Sequence, residues 1–385
     1  MAKGKTILVL GGGVGGLVTA SRLRNKLPRR HRIVLIEREA QFIFQPSLLW
    51  LIVGQRSSEQ ISRPLSVLER KGIEFVRGNI DHIDPENRTV RVGEQLYAAD
   101  YLVIALGADL APAAIPGLAE AGHNFYSLSG AEALREARLE MSEGRLVVLV
   151  ASVPFKCPAA PYEAAMLLEH DCRKRGTGRT VTIDLYTPEP GPMAVAGPEV
   201  SRQVRQLVEA KGVGFHPDHA VTEIDTAAQQ IKFANGAAAS YDLLAYVPPH
   251  RAPQVVSDAG LVGEAGWVPV NRQTLETRFP GVYAIGDVTG IPLTMGKPLP
   301  KAGVFAHGEA EVVVANLARM ITGKGKPALF NGHGECFVET GDGRAGYGSG
   351  NFFAEPAPRM RLRQPGRILH LGKVAFEKYW LFRWF

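Results

Sequence analysis

The chain of 385 residues has few cysteines and no long apolar run, and each shortage excludes a class of protein. Three cysteines cannot hold a secreted disulfide scaffold together, which indicates a reducing compartment. No stretch approaches the roughly 20 apolar residues that a membrane-spanning helix requires. No apolar signal core precedes the first predicted strand, so we expect no signal peptide. A hydrophobic content of 45% excludes intrinsic disorder.

Acidic residues are almost absent from residues 359–385, where Glu377 is the single acid. The basic residues of this segment are Arg359, Arg361, Arg363, Arg367, Lys373, Lys378 and Arg383. The segment therefore accounts for the whole net charge of +6, and residues 1–358 are neutral. A neutral body without a recognised binding motif argues against nucleic acid as a partner.

A turn of sequence Gly-Gly-Gly-Val-Gly-Gly links the first predicted strand, residues 6–10, to a helix. In this pattern Gly11 permits a tight turn, Gly13 lets backbone amides approach a pyrophosphate, and Gly16 lets the helix pack on the strand. Glu37, at the end of the second predicted strand, can accept hydrogen bonds from ribose hydroxyls. The pattern predicts an adenine-dinucleotide site at the helix N-terminus.

Two later strands end in features typical of an FAD domain. One ends at Gly107, and the other ends at Gly286 and Asp287. They resemble the later signatures of flavoproteins with two dinucleotide domains, in which the Gly-Asp pair holds the ribityl and phosphate part of FAD. We therefore expect FAD as the cofactor; a carboxylate that only caps a loop is the alternative for Asp287.

Glycine is missing from the turn in which a second dinucleotide would bind. Residues 146–150 predict another buried parallel strand, but residues 151–161 then contain three prolines and no glycine. Proline has no backbone N–H with which to bind a pyrophosphate. We predict a second Rossmann-like domain that has lost NADH binding, so that electrons reach the flavin from a smaller donor.

The three cysteines lie in different settings. Cys157 lies in this proline-rich turn, beside Lys156 and ahead of a predicted helix, which would lower the pKa of its thiol and make it reactive. An inert buried cysteine is the alternative. Cys336 lies in a glycine-rich segment that we expect to be flexible, and Cys172 is interpreted as a bystander.

These features together resemble those of the sulfide:quinone oxidoreductases, with the flavoprotein subunit of flavocytochrome c sulfide dehydrogenase as a near relative. The similarity extends from Lys5 to the C-terminus. The motifs that carry it are Gly11 to Gly16 with Glu37, Pro154-Phe155-Lys156-Cys157-Pro158, Pro161-Tyr162-Glu163, Gly286-Asp287, residues 299–307, Cys336 and residues 373–379.

The resemblance implies a redox-active disulfide between Cys157 and Cys336 beside the flavin. Sulfide, as HS⁻, would open the disulfide, and the released thiolate would pass two electrons through FAD to a quinone, with polysulfide or sulfur as the product. Members that bind FAD covalently have a cysteine where this chain has residues 42–46, which contain none, so we expect noncovalent FAD. A third cysteine of many members is absent from residues 107–153, which leaves the length of the sulfur product open.

Two further candidates are assigned by resemblance. Glu163 matches an acid proposed for proton handling, and an ordinary helix-surface acid is the alternative. Lys301 matches a lysine beside the flavin pyrimidine, where a cation stabilises the reduced anion, and a solvated lysine is the alternative. His307 is as consistent with a core histidine as with a functional one. We expect no metal site.

Aromatic residues are interspersed with basic ones over residues 368–385. This composition predicts an interfacial helix at a membrane surface, and a tail packed on its own domain or on a partner subunit is the alternative. We expect deletion of this segment to remove quinone reduction before it removes flavin reduction by sulfide. By resemblance, an aromatic clamp for the quinone is formed by Phe352, Phe353, Tyr379 and Trp380.

The sequence thus predicts an α/β protein with two Rossmann-like dinucleotide-binding domains and a C-terminal membrane-interacting segment. The predicted divisions are an FAD domain at 1–112 and 266–325, a second domain with Cys157 at 113–265, and a C-terminal region with Cys336 at 326–385. The expected partners are hydrogen sulfide, a membrane quinone, the surface of the cytoplasmic membrane for a peripheral, monotopic protein, and further copies in a homo-oligomer. The alternatives are a type II NADH:quinone oxidoreductase, a cytochrome-linked sulfide dehydrogenase subunit, and a flavin-stabilised binding protein without turnover.

Overall fold

The computed structural model describes residues 4–385, and its first sheet is a five-stranded parallel sheet. Its strands, in spatial order, are Val282–Ala284, Tyr101–Ile104, Thr6–Leu10, Arg32–Glu37 and Glu74–Arg77. Both faces of the sheet are covered: Ile7 and Val9 pack among helix residues such as Leu17, and Leu8 and Leu10 pack on the opposite face. This double burial explains why the strand is continuously apolar. The sheet combines strands from two distant parts of the chain.

The second sheet is also five-stranded and parallel. Its strands, in spatial order, are His123–Asn124, Leu243–Val247, Gly144–Val150, Val181–Tyr186 and Gly214–His216. The proline-rich turn follows the central strand, and it leads into the helix Ala160–Arg175, which we call the cysteine helix. The two parallel sheets confirm the predicted fold class. The predicted division of the chain at residues 112, 265 and 325 stays a prediction.

Helices connect and cover these sheets. The α-helices are Val14–Lys26, Leu48–Leu51, Ser58–Ile61, Leu118–Ala121, Leu128–Glu140, Ala160–Arg175, Pro198–Glu209, Gln254–Asp258, Gly303–Thr322 and Arg367–Trp384. Short 3-10 helices span Gln45–Ser47, Leu65–Lys71, Pro112–Ala114, Ala194–Ala196 and Gly286–Val288. The helices predicted after the glycine-rich turn and after Cys157 are both present.

Small antiparallel sheets accompany the two parallel sheets. Their strands are Gln41–Ile43 with Ser62–Pro64; His82–Asp84, Thr89–Val92 and Gln95–Ala98; Asp109–Leu110 with His250–Arg251; Val221–Asp225, Gln230–Phe233 and Ala238–Ser240; and His333–Glu339, Ala345–Asn351 and Arg359–Gly366. Cys336 lies in the strand His333–Glu339, which is paired along its whole length with Ala345–Asn351. The expectation of a flexible segment around Cys336 is therefore wrong, because interstrand hydrogen bonds hold its backbone.

The C-terminal helix, Arg367–Trp384, has two different faces. Its inner face is buried on the body of the protein and carries Lys373, Glu377, Trp380, Leu381 and Trp384. Its outer face carries the exposed apolar residues Ile368, Leu371, Phe376, Tyr379 and Phe382. A helix is present where the sequence predicted one. Its inner face packs on the body of the protein, as in the alternative of a tail that packs on its own domain. Among residues 4–385, no helix is long and apolar enough to cross a membrane.

Candidate active site

Three glycines shape the turn after the first strand. Gly11 has a φ of +99°, and a Cβ on this residue would lie 2.3 Å from the carbonyl oxygen of Ala105. A Cβ on Gly16 would lie 1.8 Å from the carbonyl oxygen of Gly11, so the helix and the turn approach as closely as glycine allows. A Cβ on Gly13, by contrast, would meet nothing within 4 Å, which leaves room for a ligand against its backbone.

Glu37 stabilises the glycine-rich turn. Its Oε2 accepts a hydrogen bond from the backbone N–H of Gly12 at 2.6 Å, and its Oε1 accepts one from the backbone N–H of Glu39 at 2.9 Å. The carboxylate is partly exposed, and it lies at the carboxyl edge of the first sheet, where dinucleotides bind in this fold. The geometry therefore fits an adenine dinucleotide.

A second part of the candidate cofactor site lies at the ends of two neighbouring strands. Gly107 follows the strand Tyr101–Ile104, and Gly286 and Asp287 follow Val282–Ala284. Glu309, from the helix Gly303–Thr322, accepts a hydrogen bond at its Oε2 from the backbone N–H of Gly286 at 2.6 Å. Burial raises the pKa of Glu309 to about 8. Sequence reasoning missed Glu309, although an acid within an apolar helix pattern was its signal.

Lys301 is buried and held by the protein, which excludes the alternative of a solvated lysine. Its Nζ donates hydrogen bonds to the carbonyl oxygens of Asp287, at 2.6 Å, and Thr289, at 3.1 Å. The same atom lies 3.2 Å from the centre of the Trp267 ring. Burial lowers the pKa of Lys301 to about 8, although the carboxylates of Asp287 and Glu309 oppose this change.

Cys157 is attached to this lysine segment through its backbone. Its N–H donates a hydrogen bond to the carbonyl oxygen of Lys301 at 2.6 Å, and Lys156 forms an isolated β-bridge with Lys301. The backbone of Cys157 has a φ of +53°, an uncommon conformation for a residue other than glycine. These contacts place the proline-rich turn, which carries Cys157, against the segment around Lys301.

The predicted direction of the Cys157 pKa shift is wrong. The thiol pKa is raised well above its ordinary value by burial, and the charges of Cys336 and Glu163 raise it further. The backbone N–H of Ala160, at the start of the helix, does lower the pKa of this thiol, but the effect of burial is larger. Burial also lowers the pKa of the neighbouring Lys156.

Cys336 lies on the strand whose residue Glu339 donates its backbone N–H to Glu163, six residues after Cys157. Its side chain has open surface, yet the dense protein around it raises the pKa of the thiol to about 12, and the charge of Glu163 adds to this shift. Both cysteines are free thiols, so the disulfide between them stays a prediction. Cys172 is buried in the cysteine helix beside Arg175, away from this pair.

Glu163 is buried, which excludes the alternative of a helix-surface acid. Its Oε1 accepts two hydrogen bonds, from the backbone N–H of Glu339 at 2.7 Å and from Nζ of Lys373 at 2.8 Å. Lys373 comes from the C-terminal helix and Glu339 from the strand that carries Cys336. One carboxylate thus joins the cysteine helix, the Cys336 strand and the C-terminal helix.

Sequence reasoning missed the residues that extend this cluster. Nζ of Lys373 lies 3.9 Å from Oε2 of Glu339, and Nδ1 of His370 lies 2.8 Å from Oε1 of the same carboxylate. Burial raises the pKa of Glu339. The pKa of Lys373 is raised although burial opposes the shift, because the carboxylates of Glu163 and Glu339 favour its charged form. Lys373 was counted as one of the basic tail residues and as the start of the motif at residues 373–379, without a role in the site.

The predicted aromatic clamp is not assembled as one group. Phe352 packs edge-on against Phe305 at a ring separation of 5.2 Å, and Phe353 packs against Phe330. Tyr379 is 61% exposed on the outer face of the C-terminal helix. Among residues 4–385, no aromatic contact joins Phe352 or Phe353 to Tyr379 or Trp380.

Trp380 and His307 have packing partners inside the protein. The Trp380 ring is buried and stacks on Phe42 with a centroid separation of 4.9 Å, so it is not free to stack on a ligand. The partly buried His307 ring lies edge-on to Trp384 at 5.7 Å. Burial lowers the pKa of His307, which favours the neutral form.

Comparisons with known proteins agree with this geometry. The sequence profile of the pyridine nucleotide-disulphide oxidoreductase family matches residues 5–310. The sulfide-quinone reductase of Aquifex aeolicus (strain VF5) is 30% identical over 98% of this chain and 91% of its own. The mitochondrial sulfide:quinone oxidoreductase of Mus musculus is 24% identical over 91% of this chain and 79% of its own.

A solved structure supports the same relationship. The X-ray structure of the sulfide:quinone oxidoreductase from Aquifex aeolicus superposes with a TM-score of 0.89 at 28% identity, and the match covers 99% of this chain and 91% of the other. The chain therefore belongs to the pyridine nucleotide-disulphide oxidoreductase family and, within it, to the sulfide-quinone reductases, which are FAD-dependent oxidoreductases.

Proposed function

We propose that this protein is a sulfide:quinone oxidoreductase that oxidises sulfide at a disulfide formed by Cys157 and Cys336. The observation that carries the proposal is that the fold brings the two cysteine-bearing segments together: Glu163, six residues after Cys157, binds the backbone N–H of Glu339 on the Cys336 strand, and the N–H of Cys157 binds the Lys301 segment. Electrons pass through noncovalent FAD to a membrane quinone, and polysulfide or sulfur is released. The proline-rich turn supports sulfide rather than NADH as the donor, because it lacks the glycines that a second dinucleotide needs.

The chemistry at the two cysteines balances as a two-electron oxidation. HS⁻ attacks one sulfur of the disulfide, the S–S bond breaks, and a persulfide forms on one cysteine while the other leaves as thiolate. The persulfide loses its proton to a nearby base, and a bond then forms between the persulfide sulfur and the thiolate sulfur, which releases two electrons to the acceptor and leaves a Cys–S–S–S–Cys bridge. For each sulfide ion that enters, one sulfur atom at the zero oxidation level, one proton and two electrons are produced.

The residues that would hold FAD are those of the two strand ends. Gly11, Gly13 and Gly16 would cradle the pyrophosphate, Glu37 would accept from the ribose, and Gly107, Gly286 and Asp287 would line the ribityl part. When bound, FAD supplies a two-electron acceptor that can in turn reduce a quinone. Lys301 would place a cation next to the reduced ring system, and its carbonyl oxygen positions Cys157 from the same segment.

Protons need an acceptor close to the thiols. Because burial raises the pKa of both cysteines, the reduced pair holds protons tightly, and the oxidation of sulfide must release them. Glu163 is a buried acid whose charge raises the pKa of both thiols. We assign to it the removal of protons at the cysteine pair.

The outer face of the C-terminal helix would bring the protein to its quinone. Ile368 is 84% exposed and Phe382 is 83% exposed, which is costly in water and favourable at a lipid surface. The exposed Arg367 and Lys378 flank this apolar stripe and would attract anionic lipid. Tyr379, Phe352 and Phe353 remain candidates for contacts with the quinone. A peripheral association with the cytoplasmic membrane and a homo-oligomer are parts of this proposal.

The proposal is tested by mixing the holoprotein anaerobically with sulfide and, separately, with NADH while the absorbance of oxidised flavin is followed. Sulfide should bleach the flavin within a single turnover, and NADH should not. A soluble quinone analogue added after sulfide should restore the oxidised spectrum. Bleaching by NADH alone would identify a type II NADH:quinone oxidoreductase instead, and no bleaching by either donor would favour a binding protein without turnover.

A further inference from the structure

A row of buried titratable groups leads from the two cysteines to the protein surface. Glu163 follows Cys157 by six residues and accepts a hydrogen bond from the strand that carries Cys336. Lys373 bridges Glu163 and Glu339, and His370 lies on the far side of Glu339. Glu163 and Glu339 are 2% and 1% exposed, whereas the His370 side chain is 22% exposed. The row therefore begins in the interior and ends where water reaches a titratable ring.

Two features of this row are unusual for a purely structural ion pair. The Oε2 atom of Glu339 is buried, and no hydrogen-bond partner reaches it within residues 4–385. An ionised carboxylate oxygen in that position is costly, so this oxygen is a natural place for a proton. The cluster also contains two carboxylates, Glu163 and Glu339, but one lysine, so a further proton on Glu339 or His370 makes it neutral.

The groups that face this cluster are few. His370 faces Glu339 and lies edge-on to the Trp50 ring. The guanidinium of Arg56 lies 4.5 Å from the centre of the same ring. Arg56 is already paired with Glu377 at 2.8 Å. On the inner side, the charge of Glu163 raises the pKa of the two thiols and of Tyr126.

We propose that Glu163, Lys373, Glu339 and His370 form a proton exit path that carries protons from sulfide at the cysteine pair to water. The inference rests on the proposed function and adds to it the residues that follow Glu163. It assigns His370 and Glu339, which do not touch the reacting sulfurs, as positioning and relay residues.

The path transfers protons only, and no group in it is oxidised or reduced. When H₂S reaches the cysteines, its S–H bond breaks and the proton binds a carboxylate oxygen of Glu163. Glu163 then passes a proton to Lys373 as Lys373 gives one of its own to Oε2 of Glu339, so Lys373 stays an ammonium ion. The carboxyl group of Glu339 then turns about its Cγ–Cδ bond so that the protonated oxygen faces Nδ1 of His370, Nδ1 accepts this proton, and the resulting imidazolium releases its Nε2 proton to water.

The path makes a prediction about pH. At low pH sulfide arrives as H₂S and must lose a proton inside the protein, whereas at high pH it arrives as HS⁻ and needs the path less. His370→Gln keeps a hydrogen-bonding group beside Glu339 but removes the titratable ring. We expect this variant to reduce flavin at least about tenfold more slowly than the wild type at low pH and at a similar rate at high pH.

The experiment measures single-turnover flavin bleaching by sulfide across pH in the holoprotein, with His333→Gln as the control. His333 is exposed on the strand that carries Cys336, and it lies outside the cluster. In His370→Ala, added imidazole should restore the low-pH rate, because the removed ring lies at the surface. A structural role alone would give no rescue.

The outcomes separate this proposal from the proposed function. If sulfide does not bleach the wild-type flavin, the proposed function fails. If the wild type is bleached and His370→Gln, with FAD fully bound, has the same pH profile, the exit path fails on its own. A uniform loss of rate at every pH, without imidazole rescue in His370→Ala, would also overturn it.

Discussion

Nζ of Lys373, on the C-terminal helix, donates a hydrogen bond of 2.8 Å to Oε1 of Glu163, on the cysteine helix, and both side chains are buried. The segment predicted as a membrane tail thus completes the surroundings of the two cysteines. Four further contacts hold the same helix: Glu377 binds Arg56 and Ser47, Trp380 stacks on Phe42, and the carbonyl oxygen of Trp384 accepts from Lys71. Deleting residues 368–385 is therefore not a clean test of membrane binding.

Lys373→Met should destabilise the protein strongly. The substitution leaves Glu163 and Glu339 without their cation in a buried setting, and breaking a buried ion pair typically costs about 3–5 kcal/mol. Lys378→Met, an exposed position on the same helix, is the control and should change the free energy of unfolding by less than about 0.5 kcal/mol. Urea unfolding of the two holoproteins checks this, and equal midpoints would contradict the role of Lys373.

Cys157→Ser and Cys336→Ser should each lower the rate of flavin bleaching by sulfide at least about a hundredfold while FAD stays bound. When two residues act together in one reaction, removal of either one abolishes most of the rate that the pair provides. Cys172→Ala is the matched control, because this cysteine is buried away from the pair and should keep the wild-type rate. Full activity in either serine variant would refute the redox pair.

The outer face of the C-terminal helix can be tested without disturbing its inner face. Ile368→Ser combined with Phe382→Ser should weaken binding to anionic vesicles by about 3–6 kcal/mol at most, since each fully buried side chain contributes about 1.5–3 kcal/mol. Quinone reduction should fall in membranes, whereas single-turnover bleaching by sulfide should be unchanged. The control is Leu96→Ser combined with Leu329→Ser, two exposed apolar residues elsewhere. Equal vesicle binding of both double variants would show that this face is not the membrane contact.

Glu309 should make stability depend on pH. Burial raises the pKa of this carboxyl from its ordinary value near 4.5 to about 8, so its contribution is fully present below about pH 4.5 and is lost as the pH rises through 8. Relative to Glu309→Gln, the wild type should lose up to about 1.4 kcal/mol per pH unit within this window. Urea unfolding at pH 5, 6.5 and 8 measures the difference.

Glu311→Gln, on the same helix and partly exposed, is the control for this prediction. Its unfolding free energy should follow that of the wild type across the three pH values. Parallel curves for the wild type and Glu309→Gln would show that Glu309 does not hold an extra proton in the folded protein.

Much of the fold was readable in the sequence because its signals are local. The strand over residues 6–10, the glycine-rich turn and Glu37 are consecutive or closely spaced, and the structure has a strand at Thr6–Leu10 and the carboxylate of Glu37 on the turn. The proline-rich turn likewise showed where a second dinucleotide site was missing. Backbone geometry imposed by glycine and proline depends on neighbouring residues alone.

The electrostatics of the site could not be read in this way. The sequence placed Cys157 before a helix and beside a lysine, which predicts a lowered thiol pKa. In the fold, burial of the thiol and the charges of Cys336 and Glu163 raise this pKa instead. Lys373 counted as one charge of a basic tail until the fold turned it inward to Glu163, 210 residues away in the chain.

The sequence by itself determined the α/β fold class, the dinucleotide turn and the amphipathic, basic character of the C-terminal helix. Only the tertiary structure decided which face of that helix is buried, that Trp380 packs on Phe42, and that Glu163, Lys373, Glu339 and His370 form one cluster. The physical reason is that desolvation and charge pairing depend on neighbours distant in the chain, whereas turns and strands are specified by residues next to one another.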